Sequence, residues 1–350
     1  MKKLVINTAT DELFIVLKKG NEIFSKIINS KMHHNETMLP QIDEILKEQD
    51  LDINDIDEFG VVIGPGSFTG IRVGISTIKA FRDAILAKAK GVNNLDYLFA
   101  LAKNKNSEIE TVAIGGSKDS YFVAKLIHGV VYKYPRNLTL DELIEVAENK
   151  PIGMFKEDES LNCVVVEQNA EVLLNCVENS VDETLVPVYY QLSQAESEKL
   201  KRSEIKIETA DMDDLAEIVK LESENITVNT MSKEQIKIAL NDENYTVFKA
   251  IIDDVIAGFI MLSKTDELNI DSIAVSKEFR NIGIATKLIE KAETYGKENK
   301  IETLSLEVAY TNITAYLLYK KLGFYERRTR KNYYKNGDDA IEMLKNTKEL

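Results

Sequence analysis

The sequence contains few of the residues from which disulfide frameworks and metal centres are built. It has two cysteines, Cys163 and Cys176, and three histidines among 350 residues. Two cysteines are too few for a disulfide framework, and these two lack the spacing of metal ligands. His33 and His34 are adjacent and His128 is distant, so no His-x-x-x-His pair is present to hold a metal. We therefore expect reduced thiols and no metal site.

The sequence also lacks a basic excess and any long apolar run. Lys and Arg number 44 against 58 Asp and Glu, which gives a formal net charge of −14. Proteins that grip nucleic acid unaided carry an excess of basic charge, so we expect no strong direct nucleic-acid binding. Asp11 and Glu12 interrupt any signal-peptide core, and no apolar run approaches membrane-spanning length. These features favour a cytoplasmic protein without a membrane partner.

The length of the sequence is sufficient for two domains. A length of 350 residues with 44% hydrophobic and 29% charged residues is typical of globular protein with a core in each half. The polar stretch from Ser193 to Glu204 contains no β-branched residue and would serve as an exposed linker or a helical spacer. We predict a first domain over residues 1–196, a linker over 197–204 and a second domain over 205–350.

Strand and helix patterns alternate in both predicted domains. In the first, a buried strand at Phe59–Ile63 precedes a helix over about Ile71–Ala89, and two further strands lie within residues 112–134. In the second, the pattern predicts a strand, two helices, three strands, a helix, a strand, a helix and two strands. The first of those helices covers about Met212–Glu222. Alternation of this kind predicts a two-domain α/β protein with mixed sheets.

The most informative motif of the second half is a turn. Arg280–Ala285 has the sequence RNIGIA, and it lies between the apolar run Leu268–Val275 and a helical stripe formed by Leu288, Ile289, Ala292 and Tyr295. A strand, a turn with a small residue and a helix start form a cradle for phosphate, because backbone amides and the helix dipole attract anions. No Lys-Ser or Lys-Thr pair follows Gly283, so the turn is not a nucleotide P-loop. The alternative is an ordinary helix start without a ligand.

Three later residues could carry acyl-transfer chemistry. Glu307 ends a strand beside the candidate cradle, where a partly desolvated carboxylate gains proton affinity and can act as a base; a solvated surface carboxylate is the alternative. Asn312 and Tyr319 share one face of a predicted helix, about 10 Å apart along its axis at about 1.5 Å per residue. That spacing suits a pantetheine arm held by an amide at one end and by a protonated phenol at its thiol end. Asn312 could instead only cap the helix.

Several segments around these residues together match the sequence pattern of one enzyme family. They are Leu306–Val308, Asn312, Leu318–Phe324, Arg330–Tyr334 and Asp339–Ala340. Together with the RNIGIA turn and the predicted element order, they resemble the RimI family of GCN5-related N-acetyltransferases (GNAT), whose members acetylate the N-terminal alanine of a small-subunit ribosomal protein. The resemblance spans about residues 205–344.

This resemblance implies the GNAT fold, acetyl-CoA as cofactor and a ribosomal protein N-terminus as acetyl acceptor. It implies that Glu307 is the general base and Tyr319 the general acid, and that Tyr333 and Tyr334 line the acceptor channel. The residues expected to bind the cofactor are Ile273, Ala274, Val275, Arg280, Asn281, Ile282, Gly283, Ile284, Ala285 and Asn312.

A basic cluster lies near the end of the second domain. It could steer a charged partner, or it could be the solvated face of a late strand. Its members are Arg327, Arg328, Arg330, Lys331 and Lys335.

The first half carries its own glycine-rich turn. Residues 64–74 read GPGSFTGIRVG, which fits neither the dinucleotide fingerprint nor the Walker loop and contains no lysine. The turn could approach a phosphate, or its small residues could allow tight packing within the chain or against another chain. Together with His34–Pro40 and Pro187–Glu196, it resembles TsaB, a family with the actin-like, sugar-kinase ATPase (ASKHA) fold that is needed for threonylcarbamoyladenosine formation in tRNA. That resemblance covers residues 1–196.

The TsaB resemblance implies a noncatalytic subunit that pairs with a TsaD-type ligase and works with a TsaE-type ATPase. The first strand supports the noncatalytic interpretation: actin-like ATPases place an acidic residue there to organise magnesium, whereas this strand reads LVINT over residues 4–8. We expect the turn at residues 64–74 and the helix after it to form a pairing surface, either for TsaD or for a second copy in a homodimer.

The leading hypothesis is therefore a bifunctional fusion of an ASKHA-fold domain with a GNAT domain. One alternative is an interaction scaffold whose acetyltransferase half is inactive, although Glu307, Asn312 and Tyr319 argue against it. Another is a GNAT enzyme that acts on a different peptide, a lysine side chain or a small amine, because the fold alone does not fix the acceptor. Only the segment around Tyr333 and Tyr334 favours a peptide amino terminus.

Overall fold

The computed structural model describes residues 1–29, 34–116, 119–188, 204–226 and 228–347. The chain divides into two units, Met1–Gln191 and Leu192–Leu350. The predicted linker lies outside the described residues except for Glu204, and so does the Tyr189–Glu196 part of the TsaB motif. His33 also lies outside them, as does the side chain of His34. The domain bounds chosen from the sequence therefore stay a prediction.

The first unit is built from two β-sheets and helices. Its strands are β1 (Lys2–Asn7), β2 (Glu12–Lys19), β3 (Glu22–Asn29), β4 (Glu58–Gly64), β5 (Lys88–Asn93), β6 (Thr111–Gly115), β7 (Ser120–Ile127), β8 (Val130–Lys133), β9 (Leu138–Thr139), β10 (Ile152–Met154) and β11 (Cys163–Val165). Its helices are α1 (His34–Lys47), α2 (Phe68–Ile85), α3 (Asn94–Lys105), α4 (Leu140–Ala147) and α5 (Ala170–Asn179).

Both sheets of the first unit mix parallel and antiparallel pairs. One has the order β3-β2-β1-β4-β5, in which β1 pairs antiparallel with β2 and parallel with β4. The other has the order β11-β10-β6-β7-β8, and β9 pairs with β7. β1 and β4 are almost wholly buried, because apolar residues fill them without alternation and helices cover the sheet. This is the mixed α/β architecture expected for an actin-like ATPase fold.

One predicted helix of the first unit is wrong at both ends. The helix α2 begins at Phe68, after Ser67, whose Oγ accepts a hydrogen bond from the Gly70 amide at 3.2 Å. It ends at Ile85 because Leu86 adopts a left-handed conformation with φ of 55°. Ala89, predicted to lie in the helix, is part of β5. Helices commonly stop at a left-handed glycine, so a left-handed leucine leaves no stop signal in the sequence.

The second unit is a single sheet covered by helices on both faces. Its strands are β12 (Lys206–Thr209), β13 (Tyr245–Ile252), β14 (Val255–Lys264), β15 (Leu268–Val275), β16 (Thr303–Ala309), β17 (Tyr325–Arg330) and β18 (Ala340–Asn346). Its helices are α6 (Leu215–Asn225), α7 (Lys233–Ala239), α8 (Ile284–Glu298) and α9 (Ile313–Lys321). In the described residues the strand order is β12-β13-β14-β15-β16-β18-β17.

The first predicted helix of this unit starts later than the sequence suggests. Met212–Asp214 forms a 3-10 turn, and the α-helix begins only at Leu215. The turn is closed by a capping box, in which Asp211 accepts from the Asp213 amide at 2.9 Å and Asp214 accepts from the Asp211 amide at 2.9 Å. A cap that serves a 3-10 turn resembles the cap of an α-helix in sequence, which explains the difference.

Two neighbouring strands of the second unit's sheet, β15 and β16, are paired over only part of their length. β15 and β16 run parallel, but their ladder pairs only Leu268–Ile270 with Leu304–Leu306. The helix α8 connects these two strands along the chain, and its residues Leu288 and Ile289 are completely buried against the sheet. The two strands therefore separate beside the start of α8, and this gap is where the predicted site residues gather.

Candidate functional site

The turn before α8 leaves the start of that helix open. Asn281 has φ of 66° and Gly283 has φ of 93°, so both adopt the left-handed backbone that turns the chain into the helix. Gly283 is the N-cap residue and provides no side-chain capping bond. A Cβ atom built on Gly283 would meet no atom within 4 Å. The first amides of this 15-residue helix thus receive no side-chain cap, which is the arrangement that can bind an anion.

The strand edge that leads into this turn is also open. Ile273, Ala274 and Val275 pair with β14, but they lie beyond the last pair that β15 forms with β16 in the described structure. The side chain of Ala274 is buried, as is that of Ile284 at the start of the helix. A free strand edge that ends at an uncapped helix start fits an extended ligand with a pyrophosphate at one end, as in coenzyme A. Contacts with the ligand at these positions and at Ile282 and Ala285 stay a prediction.

Arg280 contacts the protein on both sides of the turn. Its Nε donates to the Val275 carbonyl at 3.2 Å, and its Nη2 donates to Asn225 Oδ1 at 2.9 Å. These bonds hold the turn against β15 and against the end of α6. Its role in shaping the turn is therefore visible, whereas the predicted contact with phosphate stays a prediction.

Glu307 lies on β16 just beyond the last pair with β15. Its Oε1 accepts a hydrogen bond from Arg330 Nη1 at 2.8 Å, and its side chain is 22% exposed. Burial raises the pKa of Glu307 above its ordinary value, Arg330 opposes that rise, and the charges of Glu342 and Asp271 add to it. A carboxylate with a raised pKa holds a proton more strongly, so it is better suited to accept one during a reaction.

Two tyrosines lie against Glu307. The Tyr334 hydroxyl donates to the backbone carbonyl of Glu307 at 3.3 Å. The rings of Tyr333 and Tyr334 meet edge to face with centroids 5.0 Å apart, and the guanidinium carbon of Arg330 lies 4.4 Å from the centre of the Tyr333 ring. The structure thus brings both tyrosines expected to bind the acceptor to the carboxylate expected to act as base.

Tyr319 is buried in α9. It is 6% exposed, and its ring centroid lies 5.7 Å from that of Phe324. Burial, and to a smaller extent Tyr334, raise the pKa of the Tyr319 phenol, which therefore keeps its proton. Tyr334 is also influenced by the charge of Glu307, so it is a common neighbour of the two predicted catalytic residues.

Asn312 caps the helix that carries Tyr319. Its Oδ1 accepts a hydrogen bond from the Ala315 amide at 3.3 Å. The capping alternative is therefore observed, while a contact between the exposed Asn312 side chain and coenzyme stays a prediction.

Sequence reasoning missed Asp271, which lies on β15 beside the gap. Its Oδ1 accepts a hydrogen bond from Asn269 at 2.7 Å. Burial raises the pKa of Asp271, although the side chains of Ser263 and Asn269 lower it. The signal in the sequence was a single carboxylate inside the apolar run 268–275, where a charge is costly unless it has a function.

Most of the basic cluster is paired within the unit. Arg327 Nη1 lies 3.1 Å from Glu267 Oε1 and 3.3 Å from Glu342 Oε1, while Lys331 Nζ lies 2.6 Å from Asp339 Oδ2. Because each of these cations has a carboxylate partner, the cluster does not present an isolated positive field. Its clearest role at the site is to supply the arginine that binds Glu307.

The glycine-rich turn of the first unit is filled by its own chain. The Ser67 amide donates to the Ala9 carbonyl at 2.8 Å. A Cβ atom on Gly66 would lie 2.1 Å from that same carbonyl oxygen, and a Cβ atom on Gly74 would lie 2.3 Å from Thr8 Oγ1. These glycines are therefore required by packing against the turn that follows β1, which was one of the two alternatives.

The first strand, where actin-like ATPases are expected to carry an acid, ends in a satisfied amide. Asn7 is fully buried, its Oδ1 accepts from the Ala9 amide at 2.9 Å and its Nδ2 donates to Gln168 Oε1 at 3.2 Å. Over the whole described chain, no group of three or more His, Cys, Asp or Glu residues is arranged to hold a metal ion. None of the described helices is both long and apolar enough to span a bilayer.

Each unit matches a family of known proteins. The acetyltransferase (GNAT) family model matches residues 212–324, and the model of tRNA N6-adenosine threonylcarbamoyltransferase (TsaD) matches residues 22–148. The N-alpha-acetyltransferase of Saccharolobus solfataricus is 31% identical over 163 residues, which cover 43% of this chain and 97% of that protein. The ribosomal protein bS18-alanine N-acetyltransferase of Salmonella typhimurium is 35% identical over 105 residues, which cover 29% of this chain and 71% of that protein.

The first unit has a relative of its own. TsaB of Buchnera aphidicola, a tRNA threonylcarbamoyladenosine biosynthesis protein, is 26% identical over 137 residues. The match covers 39% of this chain and 62% of the length of that protein. The two family models match different halves of the chain, as the predicted fusion requires.

The fold and the site of the second unit define an N-acetyltransferase that uses acetyl-CoA, the acetyl donor of GNAT enzymes. The start of α8 carries no side-chain cap, and Glu307 lies just beyond the last pair of β15 with β16; a pyrophosphate at that turn and a base at Glu307 stay predictions. The chain belongs to the GNAT family through this unit, which is similar to RimI-type acetyltransferases, and its other half is similar to TsaB.

Proposed function

We propose that the second unit transfers the acetyl group of acetyl-CoA to the N-terminal alanine of a small-subunit ribosomal protein. The observation that carries this proposal is Glu307, whose half-buried carboxylate lies where β15 and β16 separate and under two tyrosines. The names of similar enzymes from Salmonella typhimurium and Bacillus subtilis support the choice of acceptor, because both refer to the alanine of ribosomal protein bS18.

In this proposal Glu307 removes the proton from the acceptor amine. Arg330 at 2.8 Å keeps the carboxylate available in its charged form, while burial increases its basicity. A chain-terminal amine has an ordinary pKa of about 7.7–8, whereas that of a lysine side chain is about 10.4. At neutral pH a larger fraction of terminal amines than of lysine side chains is already neutral. The remaining terminal ammonium groups also lose a proton to a weak base such as a carboxylate more easily.

Acetyl-CoA supplies the acetyl group as a thioester, and a carbon–nitrogen bond forms while the carbon–sulfur bond breaks. Tyr319 donates its proton to the departing sulfur, for which its buried and protonated phenol is suited. We expect Tyr319→Phe to slow turnover while it leaves binding of acetyl-CoA nearly unchanged. Loss of binding in calorimetry would instead show that the phenol is structural.

The direct test is an acetylation assay with the full chain and acetyl-CoA. The acceptors are peptides that begin with alanine, peptides whose only free amine is an internal lysine, and polyamines. Acetylation of the alanine peptides, detected as a mass gain at the terminal residue, supports the proposal. Acetylation that is confined to lysine or polyamine would contradict it.

For the first unit we propose a noncatalytic role as the partner of a TsaD-type subunit in threonylcarbamoyladenosine formation, together with a TsaE-type ATPase. The support is the match to TsaB, the closely packed turn after β1 and the lack of an acidic residue in β1 itself. Co-purification of the full chain with a TsaD-type subunit tests the pairing. The proposal would be contradicted if the full chain fails to bind the TsaD-type subunit, or forms only a homodimer, and in either case hydrolyses ATP by itself.

A further inference from the structure

Asp271 occupies a break in the pairing of β15 on both of its sides. Toward β14 the ladder passes from Ile270 paired with Leu262 to Ser272 paired with Met261, so it skips Asp271. Toward β16 the last pair is Ile270 with Leu306. A bulge of this kind re-aims a side chain, and it occurs here one residue beyond the point where the two strands separate.

One oxygen of this carboxylate is buried and lacks a hydrogen bond of good geometry. Oδ1 accepts the Asn269 amide at 2.7 Å, and Asn269 is fixed in turn by Ser305, whose Oγ donates to it at 3.2 Å. Oδ2 is buried and forms no hydrogen bond of good geometry with the described residues, although the Ser263 side chain lies close enough to lower the pKa of Asp271. A buried acceptor without a donor is costly, and a ligand that brings a donor removes that cost.

The two carboxylates of this gap differ in their partners. Glu307 already binds the Arg330 guanidinium at 2.8 Å. Asp271 forms no ion pair with the described Lys, Arg or His residues, but its charge acts on both Glu307 and Tyr333, so it belongs to the same site. Asp271 is therefore the carboxylate of this gap whose charge is not already paired with a described cation.

We propose that Asp271 binds the ammonium group of the acetyl acceptor through Oδ2 and so positions it for Glu307. This inference rests on the proposed function, since it assigns the amine subsite of the same reaction. An ammonium group brings three donors and a positive charge, so it can bond Asp271 and still present a proton to Glu307. The acetylated product has one N–H and no charge at that atom, so the contact weakens after transfer and favours release.

Binding measurements with Asp271→Asn test this contact. The probes are an alanine-first peptide and its des-amino analogue, in which hydrogen replaces the amino group; each is titrated into the full chain saturated with coenzyme A. We expect Asp271→Asn to weaken binding of the amine peptide about 10- to 100-fold, the range for a charged hydrogen bond, and to leave the des-amino peptide unchanged. Asp254→Asn, in the exposed turn between β13 and β14, is the matched control and should change neither.

Equal weakening of both peptides would show that Asp271 only supports the fold, and an unchanged affinity for the amine peptide would show that no contact exists. Either result overturns the inference. The proposed function fails differently: the wild-type chain would then acetylate another amine but no alanine peptide. In that case the same comparison is made with that amine and its neutral hydroxyl analogue, and the same two outcomes decide the role of Asp271.

Discussion

The two units each turn from a strand into a helix through glycine, and the two turns are used in opposite ways. In the first unit Gly66 and Gly74 lie so close to Ala9 and Thr8 that a Cβ atom would collide at 2.1 Å and 2.3 Å. In the second unit the Cβ position of Gly283 is empty for 4 Å around, and no side chain caps the helix. The richer glycine motif is therefore the one whose glycines pack closely against their own chain.

This difference shows what a glycine signature can and cannot predict. Glycine permits close approach of the backbone to another group, but that group can be the same chain or a ligand. What distinguishes the two turns is the fate of the helix amides: Ser67 Oγ accepts from the amide of Gly70 at 3.2 Å, whereas Gly283 provides no such cap. An open helix start beside an interrupted strand ladder is the stronger sign of a phosphate site.

The largest expected effect comes from removing the base beside the open turn. Glu307→Gln keeps the size of the side chain but removes its basicity, so kcat/KM for an alanine-first peptide should fall about 10²- to 10⁴-fold, the usual contribution of a general base. Glu290→Gln, an exposed change on α8, is the control and should leave the rate unchanged. If Glu307→Gln retains more than half of the wild-type rate, the open turn belongs to a site whose base lies elsewhere.

The difference in packing between the two turns can be tested directly by adding a methyl group to one glycine of each. Gly66→Ala should destabilise the first unit by about 3 kcal/mol or more, because the added carbon meets a backbone carbonyl and φ is 150°. Gly283→Ala should cost about 1–2 kcal/mol, from its left-handed backbone alone. Hydrogen exchange of amides in β1 and in α8 reports the two units separately in the full chain. Equal losses would mean that the first turn can yield and is not closely packed.

Ligands should also distinguish the two turns. Acetyl-CoA at about a hundred times its dissociation constant should stabilise the second unit by about 2.7 kcal/mol, seen as slower exchange in α8. MgATP should leave exchange in β1 unchanged, because the turn after that strand is filled and Asn7 is engaged by Gln168. Protection of β1 by MgATP would refute the interpretation of the first unit as noncatalytic.

The local pattern of the sequence was enough to predict the order of elements in the second unit. Apolar residues at helical spacing predicted the buried stripe of α8, and Leu288, Ile289 and Ala292 are indeed buried. In the first unit, α3 and α5 were not assigned, and α2 was extended into β5 because Leu86 carries no stop signal. Such features depend on tertiary packing, which overrides local propensity.

The same limit applies to the site. Glu307 and Tyr319 could be singled out from their positions along the chain, whereas the pairing of Glu307 with Arg330 joins residues that are 23 positions apart. Asp271 was hidden because its importance comes from a bulge and a strand separation, neither of which leaves a pattern in one strand. Charge at a position expected to be apolar is the signal that would have found it.

The smallest expected effect is a shift in the pH dependence of acetyl transfer, measured as kcat/KM. Glu307 must be ionised to accept a proton, so kcat/KM rises with pH through the pKa of its carboxyl group. Burial, Glu342 and Asp271 raise that pKa, and Arg330 lowers it. Removing the cation with Arg330→Gln should therefore move the acid limb of the profile to higher pH, while Arg330→Lys, which keeps a positive charge, should restore most of the wild-type position.

The acceptor amine titrates as well, but it is the same in every arm and cannot produce a difference between variants. Lys331→Gln removes a neighbouring cation that is paired with Asp339 rather than with Glu307, so it should leave the acid limb where it is. An acid limb that stays fixed in Arg330→Gln, or that moves to lower pH, would show that Glu307 does not control the profile. The base beside the open turn would then have to be sought in the other carboxylate of the gap, Asp271.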